Sequence, residues 1–123
     1  MTTPRKKVVA VLSDLMFTVK IQDAAKRAGL DVVFVKTLES ALAQVQQQPG
    51  AVLLDLNDAG ARTLELIALL KSNPETSGIT LIGFVSHVQA DVIQAAREKG
   101  CDTVMARSAF SQNLPAILQS LNA

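Results

Sequence analysis

The chain has 123 residues and a formal net charge of +1, with 49% hydrophobic and 19% charged residues. That length suits a single domain over residues 1–123, large enough to bury a core without disulfide or metal staples. No Trp, no Tyr, only four Phe and no basic excess argue against aromatic stacking platforms and a nucleic-acid footprint.

Cys101 is the single cysteine, so no internal disulfide can form. No apolar run reaches the ~18 residues of a membrane span. The start of the chain lacks the long apolar segment of a signal peptide. Cytoplasm is the expected location, with neither membrane nor nucleic acid as a direct partner. The basic run Arg5, Lys6, Lys7 reads as the solvated start of a strand rather than a binding arm.

In chain order, Lys7–Leu12 reads as strand one. Phe17, Ile21, Ala24, Ala25 and Ala28 then recur at helical spacing, and Gly29 closes that helix. Val32–Val35 is strand two. Thr37 is the expected N-cap of a helix carrying Leu38, Leu42 and Val45 on its apolar stripe, and Pro49-Gly50 ends the unit. Val52–Leu54 is strand three. Leu64, Ile67 and Leu70 mark helix three, which must stop near Asn73-Pro74. Ile79–Val85 is strand four, followed by a helix with Val92, Ala95 and Ala96 that ends at Gly100. Thr103–Ala106 is strand five, and Leu114, Ile117, Leu118 and Leu121 mark a last helix. The segments AGLDVVFV and KGCDTVMA both read helix–Gly–x–Asp–strand, the same turn chemistry used twice.

Five βα units in alternation imply a parallel sheet with helices on both faces and right-handed crossovers. Strands apolar throughout fit a sheet covered on both sides. Ligands on such sheets bind at the carboxyl ends of strands, where the strand order reverses. There the chain places Ser13-Asp14 after strand one, Asp55 and Asn57 after strand three, Ser86-His87 after strand four, and Arg107-Ser108 after strand five. With the order 2-1-3-4-5, two carboxylates, a hydroxyl and a guanidinium share one rim. Two close carboxylates favour a cation between them, and Mg²⁺ suits such a site. A carboxylate so placed can act as a nucleophile toward phosphorus, with metal and basic side chain neutralising the phosphoryl oxygens.

In this layout the chain resembles a response-regulator receiver domain over nearly its whole length. The resemblance implies a flavodoxin-like, doubly wound (βα)5 sandwich and a role in two-component phosphorelay signalling. It matches Asp55 to the phosphoacceptor and Asp14 to the second acid of a metal-holding pair. Asn57 matches the position whose backbone carbonyl ligates Mg²⁺, and Ser86 the switch hydroxyl. Arg107 stands where the family has a Lys that contacts the phosphoryl group. Ser13 stands where the first acid is usual, leaving it at most water-mediated support for the metal. The Pro that commonly follows the Lys is absent, as is the Pro usual in the loop after the phosphoacceptor, and Val104 replaces a rotating aromatic. Any switch is therefore expected to travel through helix four and its loop.

The implied partners are a histidine kinase or histidine phosphotransfer protein, and a downstream protein on the face of helix four, strand five and helix five. Dimerisation through that face is a family habit. The alternative is a pseudo-receiver, a phosphorylation-independent docking module in which Arg107 locks onto Asp55 and mimics an engaged state. Arg107 could instead hold a phosphoryl group in bidentate fashion. A carrier of FMN, cobalamin or a nucleotide is disfavoured. It needs a phosphate-cradling loop after strand one, and Gly29 is the first glycine in the chain. No enzymatic role is expected.

Plainer roles are also open to these residues. Asp14 is a fitting helix N-cap, and Ser86 could cap helix four. His87 reads as a loop residue, Cys101 as a small packing residue, Met16 and Phe17 as the first packing residues of helix one, and Asp58 as a solvated charge.

Overall fold

A computed structural model describes residues 6–58, 62–86 and 89–121. Five parallel strands form one sheet: β1 (Lys7–Val11), β2 (Asp31–Val35), β3 (Ala51–Asp55), β4 (Thr80–Val85) and β5 (Thr103–Ala106). Their order is β2-β1-β3-β4-β5, as the alternating pattern requires. The helices are α1 (Leu15–Ala28), α2 (Leu38–Val45), α3 (Thr63–Ser72), α4 (Ala90–Glu98), α5 (Arg107–Gln112) and α6 (Leu114–Leu121).

Successive strand residues point to opposite faces, which splits the core in two. Val9, Val11, Val52, Leu54, Leu81 and Val85 pack under α2, α3 and α4, with Leu66, Ile67, Leu70 and Ala96 from the helices. Val8, Ala10, Leu53, Ile82 and Phe84 pack under α1, α5 and α6, with Ile21, Phe110, Leu114 and Leu118 opposite.

The repeated helix–Gly–x–Asp–strand segments are the same turn in three dimensions. Gly29 and Gly100 adopt φ of 75° and 105°. In each turn the glycine N–H bonds back three residues, to Lys26 O or Arg97 O. The next N–H bonds back five, from Leu30 to Ala25 O and from Cys101 to Ala96 O. Both are Schellman closures, and the apolar residue after each glycine is buried against the helix it closes. Thr37 caps α2 as expected, in a reciprocal pair with Ser40.

The single expected last helix is two. Pro115 has no N–H to offer the Ser111 carbonyl, so the helical path breaks at Asn113 between α5 and α6. Arg107, expected at the end of strand five, directly follows β5 and is the first residue of α5. Other boundaries differ from expectation by one residue: β1 stops at Val11 rather than Leu12, β2 begins at Asp31, β3 spans Ala51–Asp55, and β4 begins at Thr80. Among the described residues no helix is long and apolar enough to cross a membrane.

Candidate functional site

Asp55 is the last residue of β3 and lies opposite Phe84 in the register with β4. Leu56 turns back into the core, its N–H bonded to Phe84 O at 2.9 Å. It fills the space above Gly83, where a Cβ would come within 2.9 Å of the Leu56 side chain. This packing fixes how the chain leaves the strand and therefore where the Asp55 carboxyl sits. Asn57 N–H donates to Asp55 Oδ1 at 3.0 Å, and the buried Thr63 hydroxyl donates to Asp55 O at 3.1 Å, tying the start of α3 to the strand end. Burial pushes the Asp55 carboxyl above its ordinary pKa. Neighbouring Asp58 and Asp14 push the same way, against the opposing pull of the Asn57 amide and Arg107.

Asp14 does cap α1, accepting from Phe17 N at 3.0 Å through Oδ1. Its Oδ2 accepts from Arg107 Nη2 at 2.5 Å. The Phe17 amide and the Arg107 guanidinium hold the Asp14 carboxyl below its ordinary pKa. The Arg107 guanidinium also sits 4.5 Å over the centre of the Phe17 ring. That ring stacks on Phe84 at 5.1 Å and Phe110 at 5.7 Å, and those two stack on each other at 4.6 Å. Arg107 is thus seated on an aromatic base and paired with Asp14. The alternative in which Arg107 locks onto Asp55 is not the arrangement seen: the start of α5 aims it at the helix cap of α1.

Ser86 is not the cap of α4, a position held by Gln89 without a side-chain bond. Its N–H and hydroxyl both donate to Asn57 Oδ1, at 2.6 and 3.0 Å, and Asn57 Nδ2 donates to Gln89 Oε1 at 2.5 Å. The Asn57 side chain therefore bridges the end of β3 to the β4–α4 connection. Ser13 donates to Asp58 Oδ2 at 2.5 Å, so Asp58 is drawn onto the rim rather than left as a solvated charge. His87 lies outside the described residues.

Met16 corrects another expectation: it is 86% exposed, beside Leu15 and Val19, while Phe17 alone turns inward. Cys101 is buried as expected, and burial pushes its thiol pKa up.

A divalent cation on this rim would need free carboxylate oxygens. Both Asp14 oxygens already have partners, one an amide and the other a cation, and Asp55 has one oxygen engaged. Among the described residues no three His, Cys, Asp or Glu side chains are grouped to hold a metal ion. As these side chains stand, the Asp14 and Asp55 carboxylates do not fit Mg²⁺. Sequence reasoning found Asp14, Asp55, Asn57, Ser86 and Arg107, read Asp58 as solvated, and missed Thr63, Gln89 and the Phe17 seat. The cap position of Asp14 was the one signal that Phe17 would lie beneath its partner.

No protein-family model and no curated protein sequence matches the chain. Solved structures do. The phosphorylated cyanobacterial phytochrome response regulator RcpA superposes with a TM-score of 0.81 at 23% identity, over 96% of this chain and 91% of that one. The Mn²⁺-bound form of response regulator Rcp1 gives 0.78 at 21%, over 94% and 91%. A response regulator from Hahella chejuensis gives 0.85 at 20%, over 94% of each chain. At these identities the likeness is one of fold. The chain therefore has the fold of response-regulator receiver domains, with Asp55 at the carboxyl end of its central strand.

Proposed function

We propose that the chain is a receiver-type signalling module of a two-component phosphorelay and that Asp55 is its phosphoacceptor. The observation that carries this reading is the placement of Asp55. It is a half-buried carboxylate at the end of the central strand, with its pKa raised and one oxygen oriented by the Asn57 amide.

In the transfer, a free Asp55 oxygen attacks the phosphorus of a phosphohistidine on a histidine kinase or histidine phosphotransfer protein. The P–N bond breaks, and the imidazole nitrogen keeps the electron pair and takes up a proton. The Ser86 hydroxyl and the Arg107 guanidinium are the nearby donors for the phosphoryl oxygens, and each would leave its present partner to serve. The exposed trio Leu15, Met16 and Val19 gives the incoming partner an apolar foothold beside that rim. The module accepts and passes on a group and is not itself an enzyme.

The test is incubation with Mg²⁺ and a small-molecule phosphodonor, with a working receiver alongside. A mass increase of one phosphoryl group that is stable to acid, labile to base and absent in Asp55→Asn supports the reading. No adduct with the intact chain sinks it. A second reading, a docking module that needs no phosphate, is favoured by the Asp14–Arg107 pair, which fills part of the rim with protein. Absence of the adduct would leave that reading standing.

A further inference from the structure

Arg107 is held unusually well for a side chain on a rim. Its guanidinium has a carboxylate at 2.5 Å on one side and an aromatic face at 4.5 Å on another, and it is 30% exposed. Its partner Asp14 is equally fixed, because the other carboxylate oxygen caps α1. Each group thus has two partners within the protein.

We infer that Arg107 is the built-in cation of this rim: it holds the place on Asp14 that a divalent ion would need, so residue 107 gates divalent-ion binding. The inference rests on the receiver-type reading of the site, and concerns the cation rather than the phosphoryl group. Arg107 and a divalent ion compete here for one oxygen, Asp14 Oδ2. Asp14 Oδ1 is committed to the helix cap and Oδ2 to Arg107. An ion that keeps most of its water must still find a carboxylate oxygen. It can take Oδ2 only after the guanidinium has left both its carboxylate and its ring. Ser13 adds no carboxylate to make up the deficit and is itself turned toward Asp58.

Titration with Mn²⁺, read by paramagnetic broadening of backbone amide signals around Asp14, tests this without any phosphodonor. The wild-type chain is expected to bind weakly, and Arg107→Gln to bind about tenfold more tightly or better, the scale of effect expected for a group that controls a metal ligand. Asp14→Asn in the Arg107→Gln background should remove that gain. Removing any positive charge raises cation affinity a little, so the Asp14 dependence is the decisive part. Should Arg107→Gln fail to fold, Arg107→Lys keeps the charge but loses the planar fork, and is expected to tighten binding by a smaller factor. Unchanged affinity in the folded variants overturns the inference, as does a gain that survives Asp14→Asn, or tight Asp14-dependent binding by the wild type. The phosphoacceptor reading fails separately, by the absence of an Asp55 adduct.

Discussion

At the residue scale, the rim combines two carboxylates with opposite tendencies. Asp14 is held ionised by a helix amide and a guanidinium, whereas Asp55 is disfavoured as an anion by burial. The sign of the consequence follows from linkage. Asp55 ionises less readily in the folded chain than in the unfolded chain, so its charge opposes folding at neutral pH. That penalty is relieved as pH falls through the raised folded-state pKa and is gone below the unfolded value of about 3.9. Asp55→Asn is therefore expected to raise Tm at pH 7, with the advantage shrinking steadily as pH is lowered toward 4. Thermal melts of both proteins across that range check it, and an advantage that grows on acidification would contradict the burial argument. Strand-end arithmetic made Asp14, Asp55, Ser86 and Arg107 legible in the sequence as a group. Who pairs with whom was not legible. The Arg107–Asp14 bond spans 93 positions and the Ser13–Asp58 bond 45, and both depend on side-chain direction rather than on spacing.

At the element scale, the placement of Asp55 depends on a contact with no charge in it. Leu56 lies on Gly83, and a methyl group there would meet Leu56 Cδ1, Cγ and Cδ2 at 2.9, 3.0 and 3.1 Å. The side chain cannot avoid it by swinging one methyl, because its branch point is also too close. Gly83→Ala is expected to destabilise the fold by ~1–3 kcal/mol through overpacking, and Leu56→Ala by ~2–5 kcal/mol through the cavity left. The double variant should lose less than the sum, with a coupling above about 0.5 kcal/mol, because the truncated side chain leaves room for the new methyl. Urea unfolding of the four proteins measures this cycle, and simple additivity would show that Leu56 does not rest on Gly83. Elements with strong periodicity, such as α1 and the apolar strands, were readable because one repeating pattern serves both local geometry and burial. The α5–α6 break was not. Six residues give too short a window for a helical period, and the fully buried Phe110 that anchors α5 is the one large apolar residue in it.

At the scale of the whole molecule, the sheet separates two cores that meet at the rim through few polar ties. On one side, Arg107 joins α5 to the N-terminus of α1 above the Phe17, Phe84 and Phe110 stack. On the other, Asn57 joins the end of β3 to Ser86 and Gln89, just before α4. α4 is the helix least anchored by burial, with Ala96 its one fully buried residue. The Asn57 bridge is a polar path from the end of β3 to the residue before α4. Asn57→Ala removes three hydrogen bonds from that path while leaving both cores intact. Hydrogen exchange at the amides of residues 93–96, which begin with the Ile93 N–H bonded to Gln89 O, is expected to quicken roughly tenfold, equivalent to about 1.4 kcal/mol of lost local stability. Exchange in β1 and β3 should stay as it was, since those strands are covered by side chains that the substitution does not touch. Equal acceleration everywhere would mean that Asn57 merely stabilises the fold. Unchanged exchange in α4 would mean that the bridge carries no restraint.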